Sequence, residues 1–182
     1  LVKIVILLMN IIVTPELSAP TIGLLICGTI CVKCALGKNG VGTCKSEGDN
    51  KTPLGQFPLR RIFYRADRLA QPKSGLPVIP LKSADGWCDA PDDVAYNTFI
   101  SHPHRSSAEN LWRRDKHYNI VAVIGYNDDP VISGKGSAIF LHVATDDFRP
   151  TKGCIAIQQP DLLSVLSLCT PETTVTILPP KA

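Results

Sequence analysis

The sequence is poor in charged residues, in aromatic residues and in long apolar runs. Charged residues make up 19% of the chain and aromatic residues 6%, and the net charge is only +3 with histidines neutral. Because this mild charge is scattered along the chain, we expect no nucleic-acid partner. No apolar run reaches about 18 residues without a charge, so we also expect no integral membrane span.

The rest of the composition is typical of a globular strand-and-turn protein. The chain has 182 residues, of which 45% are hydrophobic, and it contains 15 prolines and 13 glycines. This length is sufficient for one domain with a sizeable core. We find no internal repeat and no break in composition, and we therefore assign residues 20–182 to a single domain.

The first 19 residues form a separate apolar segment. Residues 1–13 are apolar apart from Lys3 and Asn10, and the small residues Ser18 and Ala19 follow. This outline resembles a secretory signal peptide, so we interpret residues 1–19 as a signal-like or extension segment. The alternative is a first β-strand. If translation begins at the only methionine, Met9, residues 1–8 are an upstream extension.

Short apolar segments separated by turn residues predict a mainly β protein, a sandwich or barrel with one or two short helices. Residues 160–169 are the better helix candidate, because Pro160 suits a first helical position and the leucines share one face. Residues 107–114 are the weaker one. The predicted strands cover 20–36, 57–64, 76–81, 120–126, 137–143, 154–158 and 173–178.

Two groups of possible metal ligands stand out, and we interpret neither as a metal site. Cys27, Cys31 and Cys34 have a spacing found in iron–sulfur proteins, but an uninterrupted strand would point Cys34 away from the other two. His102 and His104 flank a proline and have no clear third ligand nearby in the sequence. We therefore predict a solvated loop there, and no metal or cofactor.

A histidine and a cysteine at strand ends predict nucleophilic chemistry. His142 ends an apolar strand, and Cys154 follows Gly153 at the start of the next one. An imidazole that takes the thiol proton produces a strong nucleophile. Gly153 permits a sharp turn that brings backbone N–H groups toward an oxyanion. The two side chains meet if the strands are antiparallel neighbours; the alternative is a core histidine and an inert buried thiol.

The segment 137–166 resembles the catalytic segment of the L,D-transpeptidases, the YkuD-like family. The family pattern has a histidine ending a strand and then Ser/Thr-His-Gly-Cys, which here is His142 followed by residues 151–154. The similarity runs from about Cys34 to Leu178. Further segments that resemble the family are 48–59, 85–89, 96–97, 111–113 and 125–130.

This resemblance implies a β-rich YkuD fold and acyl transfer on peptidoglycan stem peptides, without metal or cofactor. Cys154 would form a thioester, His142 would act as base and then acid, and the N–H groups of Gly153 and Cys154 would bind the oxyanion. An amine of a second stem would then form the cross-link. The implied location is the periplasm or cell envelope. The alternatives are a hydrolase with the same thioester and a degenerate, non-enzymatic wall-binding module.

Several basic residues complete the predicted site. Lys152 replaces the histidine that the family has before Gly-Cys, and we expect its charge to favour the thiolate. Arg149 or Arg113 would hold a substrate carboxylate, because a guanidinium offers a two-point fork. Thr151 is also assigned to substrate binding. The alternative is that the basic residues are solvated surface charges, and the oligomeric state remains open.

Overall fold

The computed structural model describes residues 9–181, and its main feature is a nine-stranded sheet that closes on itself. The strand order is β11-β12-β13-β3-β2-β1-β14-β6-β7, and a further pairing between β11 and β6 closes the ring. This barrel-like sheet confirms the predicted fold class. The strands are β1 (Asn10–Pro15), β2 (Ile22–Cys27), β3 (Ile30–Ala35), β4 (Val41–Gly42), β5 (Thr52–Pro53), β6 (Gly55–Tyr64), β7 (Val78–Pro80), β8 (Asp85–Cys88), β9 (Phe99–Ser101), β10 (Ala108–Asn110), β11 (Ile120–Ile124), β12 (Phe140–Val143), β13 (Ile155–Ile157) and β14 (Thr174–Ile177).

One helix, α1 (Gln159–Ser167), packs its apolar side onto the inner face of the sheet. Pro160 lies in its first turn, as the sequence predicts. Leu162, Val165 and Leu166 are fully buried against the strand side chains. Burying three such residues contributes about 1.5–3 kcal/mol each. The predicted helix over 160–169 is therefore confirmed to within two residues at each end.

The second predicted helix, over residues 107–114, is wrong. This segment instead contains strand β10, which pairs with β8 in a separate three-stranded sheet β10-β8-β9. The side-chain oxygen of Asn110 accepts a 2.8 Å hydrogen bond from the backbone N–H of Trp112 and turns the chain after the strand. Such local side-chain bonds compete with helix formation.

The interpretation of residues 20–36 as one uninterrupted strand is also wrong. A turn at Gly28, where φ is +58°, separates β2 from β3 and makes a hairpin. Cys27 therefore lies opposite Ile30, and Cys31 lies on the partner strand opposite Ile26.

Strand β1 lies inside the segment that the sequence marks as signal-like. It pairs in parallel with β14 and antiparallel with β2, and Ile11 and Val13 are fully buried. The strand alternative thus describes residues 10–15. Residues 1–8, the remainder of the apolar stretch, lie outside the described part of the chain.

Strand β12 separates two apolar clusters, and this positions the candidate site. Leu141 and Val143 face the main core inside the sheet. Phe140 faces a second cluster, which the three-stranded sheet covers with Trp87 and which also includes Tyr118. Alternation along the strand places His142 on the same side as Phe140.

Candidate active site

Cys154 immediately precedes β13 and is buried on the outer side of β12, with 7% of its surface exposed. Its Sγ donates to the carbonyl oxygen of Ala138 over 3.2 Å and accepts from the backbone N–H of Phe140 over 3.4 Å. The thiol is thus held by the backbone on both sides of Ile139, the residue that precedes β12.

His142 has a defined orientation at the buried end of β12. Its Nδ1 lies 3.0 Å from the carbonyl oxygen of Val143. Because a carbonyl only accepts, Nδ1 carries the proton of the neutral ring and Nε2 is left with a free lone pair. The ring also packs edge-to-face on Tyr118, with centroids 5.3 Å apart. Burial lowers the pKa of His142 to about 4, so the ring is neutral at pH 7.

The two residues lie on the same face, but the strand pairing that brings them there differs from the prediction. Strands β12 and β13 run parallel, with His142 opposite Ala156, and not antiparallel. Parallel neighbours need a crossover connection, which residues 144–154 provide. Tyr118 packs against His142 and belongs to the same cluster as Cys154. Within the described residues, no direct hydrogen bond joins the imidazole to the sulfur.

The environment keeps the resting Cys154 thiol protonated. Burial raises the pKa of Cys154 to about 12, and the nearby charge of Glu109 adds to this rise. The N–H of Phe140 and the charge of Lys45 act in the opposite direction. The thiol and the imidazole are therefore both neutral at pH 7, so the resting site is not a preformed thiolate–imidazolium pair.

The turn before Cys154 requires glycine at position 153. Gly153 has φ +134°, and a Cβ atom there would lie 2.8 Å from the carbonyl oxygen of Lys51. The Thr151 hydroxyl donates a 2.6 Å bond to the carbonyl of Cys154 and accepts a 3.1 Å bond from the Gly153 N–H. In this structure the Gly153 N–H is therefore engaged within the turn, where the sequence predicted a free oxyanion donor. The Thr151 hydroxyl is likewise engaged there.

The cation that acts on Cys154 is Lys45, not Lys152 as predicted. Lys45 is buried, pairs with Asp49 at 2.6 Å, and its Nζ lies 3.6 Å from the position of a Cβ on Gly153. Lys152 is exposed, and its charge acts on Glu109 instead. No local pattern in the sequence indicates Lys45, because this residue lies in a loop more than 100 residues before the cysteine.

The two predicted arginines occupy different environments. Arg113 stacks over the Tyr118 ring at 5.1 Å and pairs with Asp115 at 2.6 Å. Its charge is close enough to contribute to the lowered pKa of His142, after the larger effect of burial. Arg149 pairs with Asp147 on the surface, and 77% of its side chain is exposed. Only Arg113 adjoins the histidine.

An acid–phenol pair that the sequence motifs did not indicate lies near Cys154. The Tyr118 hydroxyl donates a 2.6 Å hydrogen bond to Glu109. Burial raises the pKa of Glu109, while the Tyr118 hydroxyl and the charges of Arg113 and Lys152 lower it. Glu109 lies on β10, in the segment that was predicted to be helical. The incorrect helix prediction therefore gave no indication that its carboxyl group lies near Cys154.

Asn97 connects the three-stranded sheet to the backbone that holds the thiol. Its Oδ1 accepts from the Trp87 indole N–H at 2.9 Å and from the Ala138 N–H at 3.0 Å, and its Nδ2 donates to the carbonyls of residues 126 and 127. Ala138 itself has φ +52°, which is strained for a residue with a Cβ. This network gives a physical role to the family-like segments 85–89, 96–97 and 125–130.

A cleft of about 540 Å³ adjoins the site, and Trp87 and Phe140 form part of its wall. Both side chains belong to the cluster that covers Cys154. Arg60 and Arg61 also line this cleft, and Arg60 makes a two-point pair with Asp128 at 2.8 and 3.2 Å. Arg60 and Arg61 thus lie in the wall of this cleft, although the sequence motifs did not indicate either residue.

The geometry agrees with the comparison to known families. A sequence model described as the YkuD L,D-transpeptidase catalytic domain matches residues 29–177, which is most of the chain. The chain therefore belongs to the YkuD family of L,D-transpeptidase catalytic domains, as the motif around Cys154 indicated.

Two other comparisons add little to this assignment. The crystal structure of the helical cell shape determining protein Pgp2 from Campylobacter jejuni is similar to this chain, with 16% identity and a TM-score of 0.48. The match covers 94% of this chain and 48% of that one, so this chain spans about half the length of Pgp2. A comparison with curated proteins gives no significant match. Among the described residues, no helix has the length and apolarity to cross a membrane.

Proposed function

We propose that the protein is a cysteine acyltransferase of the L,D-transpeptidase type that acts on peptidoglycan stem peptides. The observation that supports this most is that Cys154 belongs to the apolar cluster around Tyr118 and that His142 packs on the same Tyr118 ring, with the imidazole Nε2 free to accept a proton. The family's substrate is outside the cytoplasm, so we also propose a location in the periplasm or cell envelope.

In this mechanism His142 acts as a general base at the moment of attack. The thiol swings from the Ala138 carbonyl toward Nε2, and the proton moves to the imidazole as sulfur bonds to the donor carbonyl carbon. His142 then gives this proton to the departing amine of a D-amino acid, which leaves a thioester on Cys154. A side-chain amine of a second stem then attacks the thioester carbonyl and loses its proton to His142. The C–S bond breaks, and the departing sulfur takes this proton back from His142, which restores the thiol and the neutral imidazole.

The oxyanion of each tetrahedral intermediate needs donors at the cysteine. Because the Gly153 N–H is bonded to Thr151 in the resting structure, we assign this role first to the Cys154 N–H. The Thr151 hydroxyl is then a positioning group that fixes the turn, since it bonds to both sides of Gly153.

Recognition of the donor stem is assigned to Arg113. A stem peptide carries free carboxylates, and Arg113 is the predicted arginine that adjoins His142. The adjoining 540 Å³ cleft, whose lining includes Arg60 and Arg61 balanced by Asp128 and Asp129, provides further room for a peptide.

Intact-protein mass spectrometry tests this proposal directly. We expect a β-lactam of the carbapenem class, and separately a stem tetrapeptide, to add one acyl group to the wild-type protein. The adduct should map to Cys154, disappear in Cys154→Ala, and persist in Cys44→Ala, a change at an exposed cysteine. An unmodified wild-type protein, or an adduct that survives in Cys154→Ala, would overturn the assignment.

Analysis of the products then distinguishes transfer from hydrolysis. Incubation with two tetrapeptide stems should yield a cross-linked dimer and a released D-amino acid in equal amounts. Release without the dimer would show instead that water resolves the thioester and that the protein is a peptidase.

A further inference from the structure

Three potential metal ligands converge on the outer side of the three-stranded sheet, away from Cys154. Cys88, Asp93 and His104 each place one ligand atom within 4.8 Å of the other two. Cys88 is fully buried and Asp93 is 8% exposed. The sequence prediction of a solvated loop at His104 is therefore wrong for this residue, because the fold supplies the partners that its neighbours in the sequence do not.

Local structure positions each of the three residues. Cys88 ends β8, and alternation along the strand directs its side chain away from Trp87 and the active site. Asp93 lies in the connection between β8 and β9, where its Oδ1 accepts from the Ala95 N–H at 2.8 Å. His104 lies in the connection between β9 and β10, so the three ligands come from adjacent parts of one small sheet.

The imidazole of His104 is directed into this cluster without a hydrogen-bond partner. Its Nε2 is fully buried and unpaired, although it lies only 3.3 Å from Oδ2 of Asp93. The two atoms are close but not aligned as donor and acceptor. A cation placed among the three ligand atoms would give this nitrogen a partner. A buried polar nitrogen without a partner otherwise costs about 1–3 kcal/mol.

We propose that Cys88, Asp93 and His104 bind a zinc ion, with solvent in the fourth position. One thiolate, one imidazole and one carboxylate are the donors that Zn²⁺ takes at about 2.0–2.3 Å. Binding converts the Cys88 thiol to a thiolate with release of its proton, while His104 binds as the neutral ring. The thiolate and carboxylate then balance the two charges of the ion in a buried setting.

The surroundings are compatible with this ion. Ser106 already donates its hydroxyl to Oδ2 of Asp93, which orients the carboxylate. Arg105 lies 3.6 Å from the same oxygen, but 78% of its side chain is exposed, so it can move into solvent when a cation binds. His102 does not join the cluster, because its ring packs over Gly86.

The expected consequence is stabilisation of the covering sheet. The ion would join the end of β8 to both connections of the sheet, including the one that carries Asn97. Zinc binding would thus stiffen the layer over Cys154 without contacting the reacting groups. The proposal does not depend on the acyltransferase assignment.

Metal analysis of tag-free protein tests the site. After incubation with zinc and removal of free metal, we expect about one zinc per chain in the wild type and near none in Cys88→Ser or His104→Ala. Cys44→Ser and Cys154→Ala are the matched controls and should retain zinc. A wild type with less than about 0.1 zinc per chain, or a Cys88→Ser variant that binds as much as the wild type, would overturn the proposal.

Two measurements on the wild type remain informative if a variant fails to fold. Cobalt substitution should produce a near-ultraviolet thiolate-to-metal band that Cys154→Ala retains. Removal of the metal by a chelator should lower Tm, and added zinc should restore it. Absence of the band in protein that carries cobalt would exclude Cys88 as a ligand, and an unchanged Tm would exclude a stabilising ion.

Discussion

The thiol of Cys154 donates a hydrogen bond to the backbone carbonyl of Ala138, 3.2 Å away, and not to His142. With this contact Cys154, the proposed nucleophile, is a neutral thiol in the resting site. Catalysis in the proposed mechanism then requires the thiol to rotate and the imidazole to accept the proton during attack. The chemistry is therefore sensitive to anything that changes the charge or the backbone around Cys154.

The first prediction concerns the reactivity of the thiol. Because the charge of Lys45 opposes the rise in the pKa of Cys154, replacing it with methionine should raise this pKa further and so lower the rate–pH profile of iodoacetamide alkylation at Cys154 throughout the range below the pKa. Lys152→Ala should leave that profile unchanged. The rates are measured by mass spectrometry between pH 7 and 11. A shift in the Lys152 variant with none in Lys45→Met would refute this assignment of the cation, provided that both variants show native circular dichroism.

The second prediction concerns acid stability. Burial holds the pKa of folded His142 at about 4, whereas an unfolded histidine titrates near 6.5. Between these values the unfolded chain binds the proton and the folded one does not, so stability falls as the pH drops from about 6.5 to about 4. The full effect is about 3 kcal/mol.

Urea melts of the wild type and His142→Gln at pH 7 and pH 4.5 test this difference. The wild type should lose more stability on acidification than the variant, because the variant lacks the titrating ring. The carboxyl groups titrate in both proteins, so their contribution to the loss of stability cancels in the comparison. Equal losses in the two proteins would mean that the histidine is not buried in its neutral form.

The third prediction concerns the turn at Gly153. Alanine at this position must adopt φ +134° and also displace the carbonyl of Lys51, so Gly153→Ala should cost about 2–3 kcal/mol and abolish acyl transfer. Gly48 is the matched control: it has φ +74° and open space around it, so Gly48→Ala should cost about 1 kcal/mol and leave activity intact. Thermal melts and adduct formation provide the two readouts. Equal destabilisation in both variants would show that the contact with Lys51 is unimportant.

The fourth prediction concerns Asn97 as a positioning residue. Asn97→Ala leaves the buried N–H groups of Trp87 and Ala138 without their acceptor, which should destabilise the fold by about 2–4 kcal/mol. Because the Ala138 carbonyl holds the thiol, the alkylation profile of Cys154 should shift as well. Asn39→Ala removes one exposed hydrogen bond, to the carbonyl of Asp49, and should lower stability by no more than about 1 kcal/mol while leaving the alkylation profile unchanged. An Asn97→Ala protein with unchanged Tm would contradict the network.

The fifth prediction separates the two arginines. Arg113→Ala should raise KM for a stem tetrapeptide, since Arg113 lies beside His142, whereas Arg149→Ala should keep wild-type kinetics. Steady-state release of the D-amino acid provides the measurement. The opposite result would place the substrate carboxylate at the surface pair of Arg149 and Asp147.

Much of this protein follows from patterns that are local in the sequence. The motif from Thr151 to Cys154 identifies the family, the leucine spacing after Pro160 predicts the helix, and the apolar runs locate most strands. These features depend on neighbours along the chain: a turn needs its glycine, and a helix needs one apolar face.

Tertiary structure decided the features that depend on distance in space. Whether β12 and β13 run parallel depends on the path of residues 144–154, and no hydrophobic pattern in the sequence predicts this path. Lys45 acts on Cys154, and Cys88 and Asp93 meet His104, because the closed sheet and its covering layer bring together residues that are far apart in sequence. Charge effects and metal coordination act over a few ångströms, so only the folded chain determines which of the many Lys, Asp, His and Cys residues act together.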